Sequence, residues 1–158
     1  MFSPEDIEAF ERENRIDAER SLHTTTVREV VNQGLEGDHY SEWLKCEDDI
    51  HRAISFDYRL HKLWDLKVTY NYKLKNSAGM AYRRYGDIWM SMHPGILDAS
   101  VEEYIKTFLH ELAHCAQYLT GVNDGHGLGW IVNMARLGQD PRENRRHSIK
   151  SCMRRSKK

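Results

Sequence analysis

The run His110-Glu111-Leu112-Ala113-His114 constrains this chain more than any other feature. On a helix, residues four apart lie one turn apart on the same side. Both imidazoles can then reach a single ion at about 2.0–2.1 Å, the usual zinc–nitrogen distance. Glu111 stands beside that ion, badly placed as a third ligand and well placed to take a proton from an attacking water. A helix is therefore required here, and the flanks supply its ends. Ser100 and Glu103 form an S-x-x-E capping box, Gly121 stands where a left-handed C-cap belongs, and the residues between contain neither Pro nor Gly. At about 100° per residue, Val101, Tyr104, Ile105, Phe108, Leu109, Leu112, Ala116 and Leu119 fall on one broad stripe. His110 and His114 fall nearly opposite, so the expected helix has two distinct faces.

Two histidines leave a catalytic zinc ion one protein ligand short. His126, in Gly125-His126-Gly127, is the best-placed donor. The stretch after His114 is long enough to finish the helix and turn back, and the flanking glycines let the backbone come close. Asp124 and Glu143 are the carboxylate alternatives, since zinc also accepts oxygen ligands. The simplest competing role for His126 is to cap a helix that starts near Leu128. The metzincin arrangement is excluded, because it needs Gly and His three and six residues after the second His, where this chain has Gln117 and Thr120.

Taken together, the HExxH run, Gly125-His126-Gly127, Trp130 and Leu137-Gly138 resemble the SprT-like (Spartan-type) metallopeptidases. Ala78-Gly79-Met80-Ala81-Tyr82, Ile88-Trp89-Met90-Ser91 and Pro94-Gly95-Ile96-Leu97 are similar to that family's glycine-led strand, its second strand and the lead-in to the metal helix. The resemblance runs from about Leu66 to Pro141. It implies a zincin-like fold, Zn2+ held by His110, His114 and His126 with Glu111 as catalytic base, and, as in the best-known members, cleavage of proteins attached to DNA. The chain departs from the family in lacking any CxxC pair and hence a C-terminal zinc ribbon; its cysteines are Cys46, Cys115 and Cys152. The N-terminal residues up to position 50 carry no part of the resemblance.

A chain of 158 residues, 40% hydrophobic and 30% charged, is expected to form one domain with enough apolar surface for a core. The expected organisation is a single domain over 1–140, with 1–50 as a helical N-terminal extension, and a basic C-terminal tail over 141–158. Met1-Phe2-Ser3-Pro4-Glu5-Asp6 lacks the character of a secretory signal, and no apolar run approaches a membrane span. A cytoplasmic or nuclear location without membrane contact is the expectation. Three cysteines without paired spacing fit a reducing compartment, and Cys115 is expected in the core.

The fold class expected is α+β. A helix is predicted from Ser3 to about Arg20, and a second from the Thr26–Glu29 capping box to near Gly34. One long or broken helix is predicted from Ser41 to Trp64. Val68, Tyr70, Tyr72 and Leu74 alternate with Thr69, Asn71 and Lys73, the period of a half-buried strand. Gly86-Asp87 reads as a two-residue hairpin turn between Tyr82–Tyr85 and Ile88–Met92. These segments predict a small antiparallel three-stranded sheet, followed by the HExxH helix and a further helix. Trp43, Trp64, Trp89 and Trp130 are expected to fill core volume rather than stack on bases, and His93 to cap a loop.

Charge is uneven although the net value is −1. Past Pro141 stand Arg142, Arg145, Arg146, Lys150, Arg154, Arg155, Lys157 and Lys158 against Glu143 alone. Such an arm suits phosphate neutralisation, so DNA is an expected partner through these eight residues. The expected activity is that of a zinc metalloendopeptidase acting on a protein substrate. The resemblance to zincins implies a substrate lying extended beside an edge strand, for which Ile88, Trp89, Met90 and Ser91 are nominated. A non-catalytic SprT-like binding module that keeps structural zinc is the main alternative, disfavoured by an intact Glu111. A zinc hydrolase acting on nucleic acid is a further one.

Overall fold

The computed structural model describes residues 24–71, 73–122, 124–143 and 148–157. The helix expected from Ser3 to Arg20 lies outside them. Strand β1 (Thr25–Thr26) runs directly into helix α1 (Val27–Leu35). The Thr26 hydroxyl accepts the Glu29 N–H at 3.2 Å, which satisfies one of the free donors at the helix start. Val27, Val30 and Val31 turn inward. Helix α2 (Tyr40–Phe56) buries Trp43, Cys46, Ile50 and Ala53 at helical spacing. It stops at Asp57, whose extended backbone and carboxylate, accepting the Arg59 N–H at 3.0 Å, start a 3-10 helix over Tyr58–Asp65. The long segment predicted from Ser41 is therefore broken, and the break is an Asx-type restart.

Strand β2 (Lys67–Tyr70) ends earlier than the alternating pattern predicts. Val68 and Thr69 are both buried, and Thr69 shares a 2.8 Å hydroxyl bond with Ser91. The half-buried reading fails because β2 is an interior strand covered on both faces at that point. Strands β3 (Gly79–Arg84) and β4 (Asp87–Met92) form the predicted hairpin. Its turn is Tyr85-Gly86, one residue earlier than expected, with φ of 53° and 81°. Two positive φ values in a row are the type I′ geometry that matches the twist of the flanking strands.

Among the described residues the sheet has four strands, in the order β1-β2-β4-β3. β2 runs parallel to β4, and the other two pairings are antiparallel. This corrects the expected three-stranded antiparallel sheet. The two-residue β1 is too short to leave a sequence pattern, and the chain passes β4's position to make β3 before returning. β4 thus lies interior, flanked by β2 and β3, and β3 forms the edge.

Helix α3 (Val101–Thr120) has the predicted ends. Ser100 Oγ accepts the Glu103 N–H at 3.2 Å. Gly121 sits at φ 76° with the paired closing bonds Val122 N–H to Gln117 O and Gly121 N–H to Tyr118 O. The reciprocal half of the capping box is absent, because the Glu103 carboxylate accepts from Arg155 Nε at 2.9 Å instead. α3 packs against β3 and β4, against α2 and its 3-10 extension, and against helix α4 (Leu128–Arg136). Its polar side is therefore buried as deeply as its apolar stripe: Thr107, His110, Glu111 and Gln117 all lie inside. The two-faced helix predicted from periodicity is in fact covered on both faces, so each inward polar group needs a partner.

The segment expected as a basic arm also packs on the core. Helix α5 (Ile149–Ser156) buries Cys152 completely, and its first N–H, from Ile149, donates to Asn76 O at 2.8 Å. Counting charge in this stretch hides Ile149 and Cys152, which share one helix face three residues apart. Trp43, Trp64 and Trp130 fill the interior as expected. Trp89 is half-buried, with Lys67 Nζ 4.8 Å from its ring centroid and Tyr82 stacked at 6.5 Å.

Candidate metal centre

Three imidazoles converge. α3 carries His110 and His114 one turn apart, and the loop after Gly121 brings His126 back over them. His126 Nε2 lies 3.1 Å from His114 Nε2 and 3.4 Å from His110 Nε2. The three ligand atoms lie within 4.8 Å of one another. Tetrahedral coordination at about 2.0–2.1 Å separates neighbouring nitrogens by about 3.3 Å, so the donor set fits one metal ion. Nitrogen lone pairs aimed at one point repel one another unless a cation lies between them, and neutral imidazole is the ligand form.

Trp130, on α4, forms the floor. Its ring meets His126 edge-on at 4.8 Å and His110 edge-on at 5.1 Å, and stacks beneath His114 at 5.8 Å. Its buried indole Nε1 has no hydrogen-bond partner among the described residues. The floor is aromatic, which limits the rotation of each ring.

Glu111 Oε1 lies 3.9 Å from His110 Nε2. Burial pushes its pKa up to about 8, an effect opposed by a hydrogen bond from the Ala81 backbone. A carboxyl group with a pKa in that range can accept and release a proton near neutrality. Space for it is made by Gly79, where a β-carbon would lie 2.9 Å from Glu111 Cγ. Burial lowers the His114 pKa, keeping the ring neutral, while its bond to Gln117 acts the other way.

Asp124, weighed as a carboxylate ligand, points elsewhere. Its Oδ2 accepts the Gly129 N–H at 3.1 Å and its Oδ1 accepts from Gln117 Nε2 at 2.7 Å. The Gly129 bond is the chief reason its pKa falls below the usual carboxylate range. The side chain of Glu143, the other carboxylate weighed, lies outside the described residues. Sequence reasoning missed Gln117 and Asp124 as supports. The only trace was Gln117 one turn past His114, read there merely as the absence of a metzincin glycine.

The profile of the SprT-like family matches residues 44–152. This chain belongs to the SprT-like family. No curated protein and no solved structure was found to match it. The matched span reaches Cys152, well past the Pro141 limit of the resemblance read from motifs, and thus includes part of α5. As a SprT-like protein it has a mixed helix–sheet fold and a histidine cluster able to hold a metal ion.

The remaining predicted residues fall less neatly. Ile88, Trp89, Met90 and Ser91 do not form an edge, because β4 is paired on both sides; Met90 and Ser91 are buried. The edge beside α3 is Gly79–Arg84. His93 caps, its Nδ1 accepting the Gly95 N–H at 2.9 Å. Of the basic residues, Arg142 holds Asp140 through two bonds near 3 Å. Arg155 is committed to the buried Glu103. Lys150, Arg154 and Lys157 are exposed, while Arg145, Arg146 and Lys158 lie outside the described residues. No helix among the described residues is long and apolar enough to cross a membrane.

Proposed function

We propose that this protein is a zinc-dependent endopeptidase that hydrolyses peptide bonds in proteins, including proteins held on DNA. The observation that carries this reading is the convergence of three imidazole Nε2 atoms beside a buried carboxylate, next to a strand edge that is unpaired among the described residues. Zinc suits the donor set, since three imidazoles leave one tetrahedral position for water or substrate. When bound, the ion supplies Lewis acidity toward the scissile carbonyl and the attacking water.

The protein's own groups do the rest. Glu111 adjoins a ligand without converging with the ligand set, and it accepts the proton of the attacking water and returns it to the leaving amine. An extended substrate strand adds to the edge of β3, its main chain bonding to Gly79, to Arg83 and to the Ala81 carbonyl, while the Ala81 N–H stays on Glu111, which carries the scissile bond past that carboxylate. This replaces β4 as the substrate strand.

Lys150, Arg154 and Lys157 share the exposed side of α5 at helical spacing, and we assign phosphate contact to this stripe. Arg145, Arg146 and Lys158, outside the described residues, are assigned the same contact on their charge alone. Such a substrate places the enzyme in the cytoplasm or nucleus. The test is incubation of the zinc-loaded protein with a DNA-binding protein, with and without DNA, followed by gel analysis. Fragments that disappear with a chelator are expected. An intact substrate under both conditions, with zinc bound, would replace this reading by that of a binding module.

A further inference from the structure

Gln117 lies one turn beyond His114 on α3 and is 1% exposed. Its amide faces two ways. Nε2 donates to Asp124 Oδ1 at 2.7 Å and to the Gly125 carbonyl at 2.9 Å. Both partners only accept, so the amide orientation is fixed by its network: the carbonyl end in that place would face two oxygens. Oε1 must therefore point at His114 Nδ1, 2.8 Å away. Oε1 cannot donate, so Nδ1 carries the proton. The lone pair of neutral His114 then falls on Nε2, the atom 3.1 Å from His126 Nε2.

The chain of contacts extends outward. Asp124 Oδ2 accepts the Gly129 N–H in the first turn of α4, where the helix dipole favours a negative charge. The Asp124 carbonyl also accepts the Gly127 N–H at 3.0 Å, closing the loop around His126.

We propose that Gln117 is a positioning residue that sets the metal-binding tautomer of His114 and, through Asp124 and Gly125, fixes the loop that presents His126. One buried amide thus readies two ligands that belong to separate elements. The inference rests on the three histidines forming a zinc centre, as proposed above, and not on peptide cleavage. Groups of this kind, one bond behind a ligand, commonly account for 10–100-fold in metal affinity.

The experiment uses the full chain labelled with 15N. Long-range proton–nitrogen spectra of the zinc-free protein, above the imidazole titration range, report the His114 tautomer. Zinc affinity is measured separately by competition with a chromophoric chelator. The parent should show the Nδ1–H form. Gln117→Leu should shift His114 toward the Nε2–H form, which blocks the ligand atom, and weaken zinc binding by about 10–100-fold.

Gln117→Glu keeps an acceptor toward His114 but loses both donors to the loop. It should keep the Nδ1–H form and still bind zinc less tightly. A purely structural role would lower the melting temperature of these variants without moving the tautomer. An Nε2–H tautomer in the parent would overturn the proposal even if Gln117→Leu failed to fold. So would a folded Gln117→Leu with the parent's tautomer and a zinc affinity within about two-fold of it. Cleavage plays no part in these readouts. Failure of the peptidase reading alone therefore leaves the proposal standing.

Discussion

The two edges of the sheet are finished in opposite ways. β1 contributes two residues, after which the chain turns into α1, and the Val27 N–H donates to Leu66 O at 3.0 Å. The first turn of the helix thus closes what the short strand leaves. β3 runs for six residues and pairs with no further strand among the described residues. The His93 N–H donates to Ala78 O at 2.8 Å, so hydrogen-bonded pairs alternate from that point and the main-chain groups of Gly79, Ala81 and Arg83 face away from β4. An open edge is a liability that proteins usually shorten or cover. Here the edge far from the metal centre is shortened, and the edge packed against Glu111 is left long. The contrast supports the proposal that β3 is the working edge.

The comparison breaks most completely if β3 matters without the centre behind it. His126→Ala should release the bound zinc, from about one per chain to none, and abolish cleavage while both edges stay folded. Elemental analysis and circular dichroism check this. Zinc retained in His126→Ala but lost in Asp124→Ala would contradict the ligand assignment.

A smaller effect separates the edges directly. In Gly79→Val the new side chain begins 2.9 Å from Glu111 Cγ and 3.3 Å from Met92 Sδ, so the base must shift. Turnover should fall about 100-fold with zinc retained, as expected for a displacement near 1 Å. The matching change at the other edge, Thr25→Val, should leave turnover unaltered. Equal effects of the two substitutions on a peptide assay would erase the distinction between the edges.

The smallest effect lies at the closed edge. Thr26→Ala removes the cap of α1 and should cost about 1 kcal/mol of stability with no change in rate. Chemical denaturation alongside the peptide assay measures both. A rate loss there would mean that the closed edge also serves the reaction.

The histidine cluster was legible because its members announce themselves by local spacing. HExxH fixes two donors within a single helical turn, and Gly125-His126-Gly127 supplies a third by chain reach. The ends of α3 were legible for the same reason, since Ser100 and Gly121 act on neighbouring backbone groups. What failed were features that depend on distant partners. No periodicity in β4 shows that β2 runs parallel beside it, so from sequence alone Ile88–Met92 reads as an edge. The alternation through Val68 and Thr69 looked half-buried because the second covering face comes from elsewhere. Arg155 counted as a free cation until Glu103, far away in sequence, claimed it. Gln117 carried no sequence signal as a support, because its partners are set by a loop fold that spacing alone does not determine.

The most direct test of the account is Glu111→Gln. This change keeps the size and hydrogen-bonding ability of the side chain while removing its capacity to take a proton. Zinc content and the parent and variant rates on an unstructured protein substrate should be measured together. The account predicts about one zinc per chain in both proteins and a rate lower by several orders of magnitude in the variant, with proton acceptance and delivery both gone. Equal turnover in the two proteins at equal zinc content would contradict it.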